Sequence, residues 1–239
     1  MLKTTETPLA QMRPFAELGK ANHGWLNASH HFSFASYHNP ARMHWGNIRV
    51  WNDDEIAAQS GFPPHAHDNM EIITYVRDGA ITHKDSMGNT GRTGAGDVQV
   101  MSAGTGVTHS EYNLEDTICR LFQIWILPRE RNVTPRWDAR QFPAMSGDSG
   151  FSVLASGYGD EGALTINADA RMLGAAIAKD GILHHPISAG HHGYLVVASG
   201  CVEIDGISLD ERDGLAIAPG AVLNISAATD ARLVLVESE

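Results

Sequence analysis

Two short sequences decide the fold of this chain, GFPPHAH at residues 61–67 and HSEYN at residues 109–113. The side chains of a β-strand alternate between its two faces. His65 and His67 would therefore share one face of a strand, and His109 and Glu111 would share one face of another. If the connecting segment folds back, the two pairs converge. Three imidazoles and a carboxylate that converge on one point predict a transition-metal site.

The composition is that of an acidic globular protein. Its 239 residues are 43% hydrophobic and carry a formal net charge of −11, without a basic block. We therefore expect no direct nucleic-acid partner and no anionic membrane surface. Cys119 and Cys201 form neither a disulfide framework nor a metal-finger spacing. The first residues lack the apolar core of a signal peptide, and no apolar run is long enough to span a bilayer, so we expect a cytoplasmic protein.

Short strands and glycine turns dominate the chain from Gly61 onward, and no helical period is sustained there. Residues 120–127 are apolar on both faces, which is typical of a strand between two packed layers. A further short strand is predicted at 48–51, ended by the turn-prone sequence Asn52-Asp53-Asp54. The pattern predicts an all-β protein.

The second half of the chain resembles a reduced copy of the first. The strand and turn around Gly79 recur at 194–206, and the glycine-marked passage that follows recurs at 213–220. Pro186, Ser188 and Ser226 stand where this repeat would place the histidines. The second copy therefore keeps the signals of the fold and is expected to lack metal ligands.

This repeat predicts two tandem β domains. The predicted limits are 1–130 for the N-terminal domain with the metal site, 131–150 for a linker that holds at most a short helix, and 151–239 for the degenerate C-terminal domain.

The histidine-rich stretch resembles the two sequence motifs of the cupin superfamily. The first motif is matched by His65, His67, Glu71 and Gly79, and the second by Gly96, Gly106, His109 and Asn113. More closely, the chain resembles the pirin family of bicupins and its bacterial quercetinase-like branch. That likeness is carried by NHGW at 22–25, FSFA at 32–35, NDD at 52–54, DSMGN at 85–89 and the run 101–113. It is dense over about 20–130 and weaker afterwards.

The resemblance implies two tandem cupin barrels, that is, double-stranded β-helices or jelly rolls. It also implies one divalent metal held by His65, His67, His109 and Glu111. Many cupins take the carboxylate ligand from the position of Glu71, whereas pirin-like proteins take it from the second motif, which leaves Glu71 a supporting role. Many cupins also have proline at the position of Ser102, a departure for which we expect no consequence at the metal. Iron(II) is the first expectation, with manganese, cobalt, nickel, copper or zinc as alternatives.

The activity implied by the resemblance is that of a quercetinase, a dioxygenase that cleaves a flavonol ring with dioxygen and releases carbon monoxide. Glu111, if it loosens from the metal, is the candidate catalytic base for the flavonol hydroxyl. The expected partners are a small aromatic substrate and dioxygen. Candidates for an apolar substrate slot are Phe62, Met70, Met101, Phe122 and Trp125.

Two other functions stay open. One is a non-enzymatic regulator that senses metal or redox state, a role associated with animal pirins. The other is a metalloenzyme acting on a different small cyclic substrate, because fold does not fix function. His83 and the pairs His184-His185 and His191-His192 lie outside the motifs and are interpreted as surface or packing residues. The sequence does not decide the oligomeric state.

Overall fold

The computed structural model describes residues 10–142 and 150–239, which form two β barrels. The strands up to residue 142 are β1 (Ala10–Arg13), β2 (Gly19–Asn22), β3 (Leu26–His30), β4 (Ile48–Ile56), β5 (Ser60–His67), β6 (Glu71–Asp78), β7 (Ala80–Asp85), β8 (Thr90–Gly94), β9 (Val98–Ser102), β10 (Val107–Asn113), β11 (Cys119–Ile126) and β12 (Arg136–Arg140). Those of the second half are β13 (Ser152–Ser156), β14 (Leu164–Thr165), β15 (Ala170–Ile177), β16 (Ile182–Pro186), β17 (His192–Ser199), β18 (Val202–Ile204), β19 (Ile207–Leu209), β20 (Gly214–Ile217), β21 (Val222–Ala227) and β22 (Ala231–Ser238). Two 3₁₀ helices, Phe15–Glu17 and Pro40–Arg42, complete the elements of these ranges.

Each barrel consists of a seven-stranded sheet that faces a four-stranded sheet. In the N-terminal barrel the strand orders are β12-β9-β6-β11-β4-β3-β2 and β5-β10-β7-β8. In the C-terminal barrel they are β1-β20-β17-β22-β15-β13-β14 and β16-β21-β18-β19. The prediction of an all-β protein with two tandem jelly-roll barrels is confirmed. Within the described ranges, no helix has the length and apolar character needed to cross a membrane.

Each barrel uses an edge strand from outside its compact stretch of sequence. β1 pairs antiparallel with β20 of the C-terminal barrel, and β12 pairs antiparallel with β9 of the N-terminal barrel. The short helix predicted for the linker is absent from residues 131–142, where β12 forms instead. Residues 1–9 of the predicted first domain and 143–149 of the predicted linker lie outside the described residues. The domain limits stay a prediction.

β4 continues through the sequence that was expected to end it. Asn52, Asp53 and Asp54 are buried strand residues, so the predicted turn is wrong. Asp53 points toward the C-terminal barrel and accepts hydrogen bonds from Arg77 and Arg212, both at 2.6 Å. Tertiary partners override the turn propensity of aspartate and asparagine here.

β11 separates two apolar layers, as its sequence predicted. Leu121 faces the interior of the N-terminal barrel, whereas Phe122 and Ile124 face the other way. On that second side they belong to one buried cluster with Tyr194 and Val196 of the C-terminal barrel. The two barrels therefore share a core.

Candidate metal centre

Three of the four predicted ligands lie together on neighbouring strands. β5 and β10 are antiparallel partners, with His65 opposite His109 and His67 opposite Val107. Each of the three imidazoles offers a ring nitrogen, and these nitrogens all lie within 4.8 Å of one another. The alternation predicted from His-x-His thus brings His65, His67 and His109 to one point.

The three imidazoles are prepared to donate lone pairs to a cation. Burial, together with the neighbouring histidines, lowers the pKa of His109 to about 3, and burial lowers that of His67 to about 4. Both rings are therefore neutral at pH 7. The Nδ1 of His65 lies 2.8 Å from the carbonyl oxygen of Pro63, and an N–H donated there leaves Nε2 with its lone pair.

The described residues provide no hydrogen-bond partner for the buried Nε2 of His109. A buried ring nitrogen without a partner is costly in a folded protein. Neutral imidazole nitrogens with free lone pairs suit a borderline divalent cation. The residues present therefore fit a transition metal at this point.

Glu111 lies deeper than the three histidines. A register shift between His109 and Glu111 places the glutamate opposite Phe62 of β5. One of its carboxylate oxygens groups within 4.8 Å with ring nitrogens of His83 and His109, but Glu111 is not part of the group with His65 and His67. The predicted four-residue set thus forms two overlapping groups that share His109.

Two glutamines hold the carboxylate of Glu111. Gln99 Nε2 donates to one oxygen at 2.7 Å, and Gln123 Nε2 donates to the other at 2.8 Å. Burial raises the pKa of Glu111 to about 7, although these two hydrogen bonds favour the charged form. Glu111 therefore exchanges its proton near neutral pH in the metal-free protein.

His83, interpreted as a surface or packing residue, is buried and packs beside His109, and its grouping with His109 and Glu111 was not predicted. It is 1% exposed, stacks on Trp137, and its Nδ1 lies 3.4 Å from Nδ1 of His109. Its Nε2 lies 3.0 Å from a carboxylate oxygen of Asp85. The alternation of β7 places His83 on the same inward face as Ile81, and the sequence carries this signal.

Asp85 and His83 determine which ring nitrogen of His109 carries its proton. Burial alone would raise the pKa of Asp85, but hydrogen bonds from Asn89 and His83 bring this pKa below its ordinary value. The side chain is therefore a charged carboxylate, which can only accept hydrogen bonds. Burial lowers the pKa of His83, which is neutral at pH 7 and donates Nε2–H to Asp85. Its Nδ1 then accepts from Nδ1–H of His109, which leaves the lone pair of His109 on Nε2.

Glu71, for which the resemblance implies a supporting role, lies apart from the histidine cluster. It is 1% exposed, and one carboxylate oxygen accepts from Ser102 Oγ at 2.6 Å and from the backbone N–H of Asn167 at 2.9 Å. Asn167 belongs to the second half of the chain. Ser102, at the position where many cupins have proline, therefore helps to hold a contact between the barrels.

The candidates for an apolar slot take different places. Trp125 packs edge-to-face on His67, and Phe62 packs 6.2 Å from the ring of His65. Met101 is buried in the barrel core, and Met70 packs against that core. Phe122 is a wrong candidate because its side chain lies on the opposite face of β11, in the core between the barrels.

The C-terminal barrel pairs β16 with β21 much as the N-terminal barrel pairs β5 with β10. The prediction that Pro186 and Ser226 occupy the positions of the N-terminal histidines was wrong in register, because both residues are exposed. His185 and Ile225 face inward instead. A slip of one residue exchanges the two faces of a strand, and turn signals alone do not fix that register.

Comparisons with known proteins agree with this architecture. The family model described as Pirin matches residues 11–126, and the model described as quercetinase C-terminal cupin domain matches residues 153–237. The chain is 55% identical over 227 residues to a pirin-like protein of Caulobacter vibrioides, covering 95% of this chain and 98% of that protein. It is 42% identical over 225 residues to quercetin 2,3-dioxygenase of Escherichia coli strain K12, covering 94% and 96%.

A solved structure shows the same fold with a metal. The bacterial pirin YhhW of Escherichia coli, in complex with nickel(II), matches with a TM-score of 0.90 and 40% identity, over 96% of this chain and 98% of that chain. Together with the histidine cluster, this likeness supports a divalent metal site in the N-terminal barrel. From the two matched family models and these relatives, we conclude that the chain belongs to the pirin family.

Proposed function

We propose that this protein is a metal-dependent dioxygenase of the quercetinase type, which cleaves the heterocyclic ring of a flavonol with dioxygen. The observation that carries the proposal is the cluster of His65, His67 and His109 with a buried carboxylate beside it. The name of the Escherichia coli relative, quercetin 2,3-dioxygenase, supports the choice of substrate class.

In this proposal His65, His67, His109 and Glu111 hold one divalent transition metal. Bound there, the metal supplies a Lewis acid and a redox partner for dioxygen. Iron(II) is our first choice because the donor set suits it, and the nickel(II) complex of YhhW supports nickel as an alternative. His83 and Asp85 keep the lone pair of His109 on Nε2.

Glu111 has the properties of a general base. In the metal-free protein its pKa is about 7, and a base whose pKa lies near the working pH transfers protons in both directions. In the proposed reaction Glu111 is released from the metal and then accepts the proton of the flavonol hydroxyl. Gln99 and Gln123 hold one carboxylate oxygen each, so the base keeps one orientation while its charge changes.

The test is oxygen uptake with quercetin by protein loaded anaerobically with iron(II) or nickel(II). We expect dioxygen to be consumed in proportion to quercetin and carbon monoxide to be released. Glu111→Gln should lose this activity, whereas Glu115→Gln, a matched change on a half-exposed surface glutamate, should keep it. Metal-loaded protein without oxygen uptake would contradict the proposal and would favour a regulatory function.

A further inference from the structure

A second feature of the N-terminal barrel is a cavity of about 320 Å³ among β2, β3, β4 and β11. Its walls include the apolar side chains of Leu26, Phe34 and Phe62. One side is polar and is formed by His30, Asn52, Asp54 and Gln123. The three clustered histidines do not line it. Cavities of this size, with apolar walls and few polar groups, are typical of small-molecule sites.

Asp54 is the unexplained residue of this cavity. Its side chain is 1% exposed, and the described residues offer no hydrogen-bond partner to its buried Oδ1. The neighbouring Asp53 points to the opposite face, where Arg77 and Arg212 bind it, so these cations do not serve Asp54. A buried polar atom without a partner costs free energy. That cost is offset if a bound molecule supplies the missing hydrogen bond.

The polar side of the cavity is fixed by contacts within the barrel. Asn52 and Asp54 are two residues apart on β4 and therefore share its inward face. His30 Nδ1 lies 2.8 Å from Asn52 Oδ1, and the two side chains hold each other. Burial, with Asp53 and Glu111 nearby, raises the pKa of Asp54 well above its ordinary value. A protonated Asp54 presents one donor and one acceptor, which is the pattern that a hydroxyl group complements.

The cavity adjoins the candidate metal centre. Gln123 lines the cavity and also donates its Nε2–H to Glu111 at 2.8 Å. Phe62, which lines it as well, is the cross-strand neighbour of Glu111. Phe34 closes another part of the wall and packs edge-to-face on Trp125, which in turn contacts His67. A molecule in the cavity would therefore extend toward the carboxylate that is proposed as the base.

We propose that this cavity binds a hydroxylated aromatic ring of the substrate, with Asp54 hydrogen-bonded to a phenolic hydroxyl and Phe34 and Phe62 against the ring. This inference takes only one point from the proposed function, namely that the substrate is a flavonol. It assigns Asp54 a role in specificity, selecting flavonols that carry ring hydroxyls over those that lack them.

The test compares two flavonols on the full chain loaded with zinc(II), which does not change its oxidation state. Quercetin carries hydroxyls on its outer rings, whereas 3-hydroxyflavone has only the hydroxyl of the heterocycle. Calorimetry should show that Asp54→Leu weakens quercetin binding about tenfold and leaves 3-hydroxyflavone binding unchanged, the size expected for one hydrogen bond to a buried partner. Asp54→Asn, which keeps the shape and a hydrogen-bonding group, should retain the preference for quercetin.

A second variant tests the location by steric means. Ala28 lines the same cavity and is 2% exposed, so Ala28→Leu should fill part of the space and weaken both flavonols. Unchanged binding of both flavonols to Asp54→Leu and Ala28→Leu would overturn the assignment. If the wild type takes up oxygen but Asp54→Leu keeps the preference for quercetin over 3-hydroxyflavone, the cavity assignment is overturned and the proposed reaction is not. An Asp54-dependent preference without oxygen uptake would support the cavity and contradict the proposed reaction.

Discussion

The Nδ1 atoms of His83 and His109 lie 3.4 Å apart in the interior of the N-terminal barrel, and Asp85 lies on the far side of His83. Because only one of the two nitrogens carries a proton, this contact fixes which nitrogen of His109 keeps its lone pair. The pair extends the candidate metal centre beyond the residues of the cupin motifs. It also explains how a buried histidine can present an unpartnered Nε2.

Removing His83 should weaken metal binding without removing a proposed ligand. His83→Phe keeps a ring against Trp137 but loses the contact with His109. We expect the metal affinity to fall by about 10- to 100-fold, the usual effect of losing a group that orients a ligand. Competition with a chelator measures it, and Lys84→Ala, the exposed neighbour, is the control. An unchanged affinity in His83→Phe would show that the contact does not prepare His109.

The stability of the metal-free protein should depend on the protonation of Glu111. Its pKa is about 7 in the folded protein and 4.5 ordinarily, so between these values the folded state holds a proton that the unfolded state has lost. The stabilisation that Glu111 contributes is complete below pH 4.5 and decreases as the pH rises to about 7, by about 3 kcal/mol.

Glu111→Gln removes this titration. As the pH rises from 5 to 8, roughly the range of the shift, the unfolding free energy of the wild type should therefore decrease relative to that of Glu111→Gln. Urea unfolding of both proteins with the metal removed measures it. A difference that stays constant over this range would show that Glu111 titrates outside it.

The hydrogen bond from Gln99 should set the acid limb of the activity. Gln99 Nε2 donates to the carboxylate of Glu111 and favours its charged form, so Gln99→Leu should raise the pKa of Glu111 further. Because the proposed base must be ionised, the rise of quercetin turnover with pH should move to higher pH. A pH profile of kcat/KM measures the shift, with the exposed Gln141→Leu as the control. A profile that stays in place would argue against Glu111 as the base.

The two barrels should lose stability together when their buried ion pairs are broken. Asp53 has a fully buried side chain and pairs with Arg77 and Arg212, which lie on different barrels. Asp53→Asn removes the negative charge that Arg77 and Arg212 share, and we expect this to lower the unfolding free energy by about 3 kcal/mol. Denaturant unfolding measures the loss, and the exposed Asp138→Asn should be neutral. A loss no greater than that of Asp138→Asn would contradict the role of this network.

Alternation within strands made the fold and the histidine cluster predictable. His65, His67 and His109 were placed correctly because a period of two fixes which side chains share a face, and the glycine turns marked where strands reverse. The same rule places His83 of β7 on the inward face, but it does not show that this face meets His109, because that contact joins different strands.

Tertiary partners account for what the sequence could not predict. Asn52-Asp53-Asp54 has the composition of a turn, yet it continues β4, because Asp53 meets two arginines and Asn52 meets His30. Likewise, Arg136–Arg140 has the charge of a linker but adds an edge strand to β9. In both places the deciding contact comes from residues distant in sequence, which local propensity does not represent.

The most direct test of the central claim is metal analysis of protein purified without oxygen. We predict near-stoichiometric transition metal in the wild type and in His184→Ala, which changes an exposed histidine of the C-terminal barrel. His109→Ala, which removes the imidazole shared by both groups, should lose the metal. Equal metal in His109→Ala, or no metal in the wild type under any loading condition, would contradict the proposed site.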